Sequence, residues 1–319
     1  MTGADATRAD IKQGLQERID RERRAILVVN TRSRRGRETF AEAKRLLTER
    51  GVTLDDSVPV RDPARLHDIV AQCVARRPPL VIVGGGDGTI SAVVDAFAFK
   101  DVAFGVLPLG TANSFARTLG LPLDLPGAVD VLVGGKVVDI DLGRINDDFF
   151  ANAAAIGLPA FIARAVPHGW KKRFGRAGYL MIAAAVLTRF KPFRCALETD
   201  DGATHKFEHA LELRVGNGRY KGGLLAMREA SVESQDLVAH IVVGRSVWTL
   251  VKVWTKIALG LDPGGRDVAR LRARRFRIAT EPEMDISIDG EPVARTPAEA
   301  SVARQALCIV VPRERADLT

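Results

Sequence analysis

The sequence predicts an α/β protein: a doubly wound parallel sheet over residues 25–135, then an antiparallel, sandwich-like β-rich domain with a helical insertion over residues 136–305. Three observations lead there. The short apolar runs Ala25–Asn30, Leu80–Val83 and Val102–Leu107 alternate with segments of helical periodicity, the rhythm of strands covered on both faces. One of these runs passes through the glycine turn GGGDGT into a helix. From Lys136 onward the pattern changes to short stretches of alternating polarity separated by Gly, Asn and Asp turns, which suits antiparallel strands with one wet face.

Taken in order, residues 1–24 are polar, with Ile11, Leu15 and Ile19 four apart, a marginal helix with a thin apolar stripe. The first strand ends in the basic turn NTRSRRGRETF, suited to phosphate or simply to solvent, and a helix follows to about Arg50. Val52–Val60 reads as a strand weakened by Asp55 and Asp56. Asp62-Pro63 is an N-cap with proline at the first helical position, opening a helix to about Ala75. Leu80–Val83 and its glycines lead to a helix carrying Ile90, Val93, Val94 and Phe97, and Val102–Leu107 ends in PLGTANSFAR. Ligands of such sheets sit beyond the carboxyl ends of the strands. The loops Asn30–Gly36, Gly84–Thr89 and Pro108–Asn113 are therefore expected along one edge. In the second domain, Ala160–Phe190 reads as a helical insertion and Ser246–Leu261 as a further helix. Ala306–Pro312 is a strand that returns to the first domain.

The 319 residues carry 47 Lys and Arg against 39 Asp and Glu, a net charge of +8. That balance suits an anionic membrane surface or a nucleotide. Aromatic residues make up only 6% and are not interleaved with the basic ones, which argues against nucleic acid. Cys73, Cys195 and Cys308 are scattered and odd in number, without zinc spacing, and imply a reducing, cytoplasmic setting. The opening MTGADATRADIKQ has no apolar core of a signal peptide, and the apolar stretch Ala177–Thr188 is too short to span a bilayer.

Bare backbone N–H groups and the positive end of a helix meet at Gly84, Gly85, Gly86, Gly88 and Thr89, an arrangement that suits phosphate oxygens. Asp87 in the midst of such a turn makes chemical sense with a cation between carboxylate and phosphate. Ile288-Asp289-Gly290-Glu291-Pro292 sets two carboxylates around a glycine, suited to general-base work or to an ordinary Asp-Gly turn. The five histidines (67, 168, 205, 209 and 240) form no metal-ligand spacing. In the insertion, Trp170 and Phe174 flank Lys171, Lys172, Arg173 and Arg176, a segment for an anionic bilayer or for plain solvent.

The ordered set GGGDGT, PLGTANSFAR, VGNGRYKGG and IDGEP resembles the diacylglycerol-kinase-like lipid kinases, which include bacterial soluble lipid kinases and the catalytic domains of sphingosine and ceramide kinases. GGDGT alone would also fit an NAD kinase, and PLGTANSFAR selects the lipid kinases. A soluble small-molecule kinase of the NAD kinase type, or a non-catalytic nucleotide- or lipid-binding relative, stays open as an alternative. The resemblance implies a nucleotide-binding domain, a lipid-substrate domain and a site in the cleft between them. It also implies ATP and Mg2+, with transfer of the γ-phosphoryl group to a diacylglycerol-like or sphingoid hydroxyl. Carried over residue by residue, Asn30, Thr31, Ser33 and Gly36 resemble the first phosphate loop, and Gly84–Thr89 the nucleotide loop. Thr111 and Asn113 would line the ATP site, and Asp87 would serve both catalysis and metal. Asp289 and Glu291 would be the acidic pair at the acceptor hydroxyl, Glu291 taking its proton. The expected partners are a lipid substrate and, transiently, the anionic inner face of a membrane.

Three departures stand out. The first loop usually reads Asn-Pro-x-Ser-Gly and is more basic here. Ser114 follows Asn113 where an acid is common. Ser231–Leu237 lacks the Asp-Asp-Gly turn that holds a structural magnesium in bacterial relatives, leaving Glu233 or Asp236 as substitute ligands.

Overall fold

The computed structural model describes residues 3–32, 34–158, 190–221, 224–225, 227, 229–288, 291–315 and 318. The chain divides into two units, Met1–Leu142 with Ala303–Thr319, and Gly143–Val302.

The first unit is built on parallel strands. β1 (Arg24–Asn30), β2 (Thr53–Val60), β3 (Leu80–Gly85) and β4 (Ala103–Pro108) lie in the order β2-β1-β3-β4. The carboxyl half of β17 (Ala298–Val311) adds alongside β4, with Ile309 opposite Phe104. Ala25–Val29 and all of β3 and β4 are buried, as near-continuous apolar runs require. β2 is the edge strand, which explains its carboxylates. Asp55 pairs with Arg24 at 2.6 Å and Asp56 with Arg76 at 2.8 Å.

The helices of this unit are α1 (Gly3–Glu22), α2 (Arg34–Glu49), α3 (Leu66–Ala75), α4 (Asp87–Ser91), α5 (Val94–Phe97), α6 (Ser114–Leu119) and α7 (Leu125–Gly134). Asp62 accepts from Ala64 N at 3.1 Å, and Pro63–Arg65 makes one tight turn before α3. α1 is held by tertiary contacts. Leu15 and Ile19 are buried, Gln16 Oε1 accepts from Val137 N at 2.7 Å, and Arg8 pairs with Asp139 at 3.2 Å. The segment after the glycine turn differs from the single helix expected there. It breaks at Val93 (φ −121°, ψ −10°) into α4 and α5, while Ile90, Val93, Val94 and Phe97 all stay buried. Apolar spacing alone does not register such a break, because both short helices keep the same inward face.

The second unit is antiparallel. Its strands are the end of β5 (Lys136–Ile145), then β6 (Asp148–Phe150), β7 (Ala153–Gly157), β8 (Phe193–Thr199), β9 (Thr204–Gly216), β10 (Tyr220–Lys221), β11 (Leu224–Leu225), β12 (Leu237–Val243), β13 (Val268–Ala273), β14 (Arg275–Glu281), β15 (Asp285–Ile288), β16 (Glu291–Arg295) and the start of β17. They run β16-β15-β7-β9-β8-β14-β17, and β12 pairs with both β9 and β13. α8 (Val247–Ala258) is capped by Ser246, whose hydroxyl accepts from Trp248 N at 3.3 Å. α8 buries Leu250, Val253 and Ile257 against β12 and β13 residues such as Val242 and Val268.

Under α8 lies a buried charged cluster. Glu212 and Arg214, two apart on β9 and so on one face, form an ion pair. Trp254 Nε1 donates to the other Glu212 oxygen at 2.9 Å, and the Arg214 guanidinium lies 4.1 Å from the centre of the Trp254 ring. His240 sits opposite Arg214 in the β12–β9 register. Burial lowers its pKa, with Glu229 opposing that shift.

The three cysteines are free and buried. Burial pushes the Cys195 and Cys308 thiols up to about 12 and raises Cys73 as well. Thiols held protonated and covered are poor nucleophiles. A disulfide thiol reagent read by absorbance at neutral pH is therefore expected to label none of the three in the folded chain and all three after unfolding.

Candidate functional site

The three loops expected at one edge leave β1, β3 and β4, which are parallel neighbours, at their carboxyl ends. Direct contacts join them. Asn30 Nδ2 donates to Thr89 Oγ1 at 3.1 Å, linking the first loop to the glycine turn across 59 residues of sequence. Leu109 N donates to Gly85 O at 2.9 Å, linking the turn to the loop after β4.

Glycine is required at the centre. A Cβ on Gly85 would fall 2.3 Å from the Thr89 side chain. One on Gly110 would fall 2.5 Å from Gly86 Cα, closer than side-chain carbons approach backbone. The Gly86 and Gly110 backbones are thus packed against each other, and neither loop accommodates a substituent there. Gly84, near the end of β3, lies against Val29 and Leu109, and Gly36 lies in the first turn of α2 beside Thr31. Gly88 differs: a Cβ there would meet nothing within 4 Å, so that face of the turn is open. At the start of α4, Thr89 N and Ile90 N donate to Gly86 O at 2.9 and 3.1 Å, so the N–H groups of Asp87 and Gly88 are the ones that lack a carbonyl within the helix.

Asp87, first residue of α4, accepts from Phe115 N at 3.2 Å through Oδ1. Phe115 is in the first turn of α6, so Asp87 supplies that helix with an N-terminal acceptor from 28 residues upstream. Asn113 precedes α6 but does not cap it. In the left-handed conformation (φ +48°), its side chain turns back on its own loop. Oδ1 accepts from Gly110 N at 2.9 Å, and Nδ2 donates to Gly110 O at 3.0 Å and Pro108 O at 3.3 Å. Asn is among the few residues that take this backbone readily. Arg117 Nε closes the loop on Ala112 O at 2.9 Å.

Of the remaining sequence candidates, Thr111 is exposed on the same loop. Thr31 is buried, and its N–H and hydroxyl both donate to Val60 O, at 2.7 and 3.2 Å, so its side chain is spent on the sheet. Ser114 is buried inside α6. Glu291 opens β16 opposite Ile288, with its side chain exposed. Asp236 forms an ion pair with Arg272. Among the described residues no three His, Cys, Asp or Glu side chains gather as a metal cluster. Ser33, Asp289 and the basic segment Lys171–Arg176 lie outside the described residues. Sequence reasoning missed Asn152 and gave Asn217 no role beyond its place in VGNGRYKGG. Both are buried, and Asn152 O accepts from Asn217 N at 2.8 Å and Gly218 N at 3.0 Å, pinning VGNGRYKGG to the start of β7. Two asparagines amid apolar strands were the available signal.

Comparison with known proteins adds a second line. Residues 24–145 match the family model described as the diacylglycerol kinase catalytic domain, and residues 152–311 match the YegS C-terminal NAD kinase beta sandwich-like domain. A Klebsiella pneumoniae protein named "Probable lipid kinase YegS-like" is 32% identical over 260 residues, covering 79% of this chain and 84% of that one. A Mycobacterium tuberculosis protein named diacylglycerol kinase is also 32% identical, covering 77% and 82%. A crystal structure titled as a diacylglycerol kinase from Bacillus anthracis has the same fold, with a TM-score of 0.74 at 22% identity, covering 91% of this chain and 97% of that one.

Proposed function

This chain belongs to the diacylglycerol kinase family of lipid kinases, and we propose that it transfers the γ-phosphoryl group of ATP, with Mg2+, to a lipid hydroxyl. The observation that carries this reading is the mutual contact of Gly86 and Gly110 beside the open face at Gly88. Together they make a rim of bare main chain at the carboxyl ends of β3 and β4, where phosphates bind in such sheets.

The residues present suit the groups proposed. The open face at Gly88 leaves space for phosphate oxygens, and the N–H groups of Asp87 and Gly88 at the start of α4 are the donors that would meet them. Asp87 has one oxygen committed to Phe115, which leaves a single-carboxylate site. That is enough for magnesium, which keeps most of its waters and takes phosphate oxygens for the rest. When bound, the ion neutralises charge on the β- and γ-phosphates, and phosphoryl transfer depends mainly on such neutralisation and on alignment.

In this reading the chain holds the triphosphate through backbone amides, with Asn30 and Thr89 fixing the spacing of the two loops. Glu291, exposed and at the start of a strand, takes the acceptor hydroxyl's proton. With Ser114 buried and neutral, Asp87 is the acid that reaches the start of α6.

Incubating the full chain with radiolabelled ATP, Mg2+ and either a total bacterial lipid extract or NAD tests the proposal. Label is expected in lipid and absent from NAD phosphate. Glu291→Gln is expected to lower turnover on the labelled lipid by about 10²-fold with little change in the KM for ATP. Label in NAD alone, or ATP binding with no labelled lipid, refutes the kinase reading.

A further inference from the structure

The outer face of α8 is unlike that of an ordinary surface helix. Trp248 is 73% exposed, Leu259 70% and Leu261 56%, and Val251 is exposed as well. Positions 248, 251, 252, 255 and 259 follow the i, i+3/i+4, i+7, i+11 spacing of one helical face. The opposite face is fixed from inside by Leu250, Val253 and Ile257 and by the Trp254–Glu212 hydrogen bond. The exposed apolar residues Trp248, Val251 and Leu259 are therefore presented by an element anchored from within, with Lys252 and Thr255 between them on the same face.

The end of the helix makes the exposure more pointed. Gly260 N donates to Ile257 O at 3.0 Å and Leu261 N to Lys256 O at 2.9 Å, with Gly260 left-handed at φ +72°. This is the Schellman ending, in which the residue at Leu261's position commonly folds back onto the helix. Here Leu261 stays exposed, as Leu259 does.

Charge at the patch identifies the occupant. Between Arg245 and Asp267 there are four basic and two acidic residues. Both acids are engaged: Asp267 with Lys252 at 2.7 Å, and Asp262 with Arg270. Arg245, Lys256 and Arg266 have no acidic partner among the described residues. The bond from Val243 N to Asp267 O, at 2.9 Å, keeps the Arg266 segment beside the start of the helix. An exposed tryptophan and leucines rimmed by unpaired cations match the interface of an anionic bilayer, with rings and alkyl groups at headgroup depth. No described helix is long and apolar enough to cross a membrane, so the contact is one of lying on the surface.

We propose that α8 and the turn after it, through Trp248, Val251, Leu259 and Leu261 with Arg245, Lys256 and Arg266, dock the protein on an anionic lipid surface. The inference deepens the lipid-kinase reading, since it names where the chain meets the membrane that would hold its acceptor. The exposed side chains are substituted without touching the buried face.

Co-sedimentation of the full chain, without nucleotide, is compared on phosphatidylcholine vesicles with and without phosphatidylglycerol. Binding is expected only with phosphatidylglycerol present. Trp248→Ser with Leu259→Ser is expected to weaken binding by at least about tenfold. Arg245→Gln, Lys256→Gln and Arg266→Gln together are expected to weaken it on the order of 100-fold. Both variants keep the far-ultraviolet dichroism and melting temperature of the parent. Unchanged vesicle binding by the serine variant overturns the surface. A concentration-dependent dimer that the serine variant dissolves also overturns it, assigning the patch to a second copy. Phosphorylation of a soluble short-chain acceptor is measured in parallel. A chain that binds vesicles through this face yet phosphorylates no lipid refutes the kinase reading and leaves the docking surface standing.

Discussion

Asp87→Asn is expected to lower the single-turnover rate of phosphoryl transfer by about 10³-fold while leaving the melting temperature unchanged. The two effects separate because Asp87 has two jobs in the proposed site. Its Oδ1 accepts from Phe115 N and steadies the start of α6, and an asparagine oxygen does this equally well. In that proposed site its negative charge holds the cation that neutralises the phosphates, and asparagine lacks it. Electrostatic groups of this kind are worth about 10²–10³ or more in rate. Asp87→Ala removes both and is expected to add a stability loss of about 1 kcal/mol, the usual cost of a lost helix cap. Rapid-quench measurement with labelled ATP, beside thermal melts, reads both quantities. Wild-type turnover by the asparagine variant would show that the residue serves only as a cap.

Glu212→Ala is expected to destabilise the β-rich unit by about 3–5 kcal/mol, the cost of leaving a buried charge without its partner. Glu212 and Arg214 are 1% and 8% exposed, and removing the carboxylate strands both the guanidinium and the Trp254 N–H that donates to it. A fall in melting temperature on the order of 10 °C follows for a unit of this size. Replacing both charges at once, Glu212→Leu with Arg214→Met, is expected to recover most of that loss, because an apolar pair has no desolvation penalty to offset. Calorimetric melts of the two variants decide it. A double variant no better than the single one would mean that packing around Trp254, and not the stranded charge, sets the cost.

What the sequence made legible follows from how local each signal is. Strand, glycine turn and helix around Gly84–Thr89 are adjacent in the chain, and burial on both faces leaves an apolar run that reads as a parallel strand. The Asp62 cap was legible for the same reason. The double duty of Asp87 was not, because its partner lies 28 residues away and the bond goes to a backbone N–H that carries no side-chain signal. Asn113 looked like a ligand-lining residue, and its type gave no hint that its amide would be spent on Gly110 and Pro108. Asp55 and Asp56 weakened the case for β2 until its place at the edge of the sheet was known. Glu212 and Arg214 looked like ordinary strand polarity, since alternation does not reveal which face a helix will cover. The basic segment Lys171–Arg176 drew attention as a membrane contact by composition. Ser246–Leu261 read as a helix, but its outward leucines and tryptophan were not legible, because an amphipathic pattern does not say which of its apolar positions remain uncovered.

β17 carries one more consequence. Its last residues, from Ala303 on, complete a unit whose other members end at Leu142. Cys308 and Val310 belong to that unit's core, and Cys308 Sγ donates to Asp139 at 3.2 Å. A ribosome delivering the chain from its amino end therefore completes the unit that holds the glycine turns only after some 160 intervening residues have emerged. Until then the flank of β4 waits for its neighbour. Such long-range closure slows folding and prolongs exposure of an unpaired strand, which ties maturation of the glycine rim to synthesis of the segment from Ala303 on.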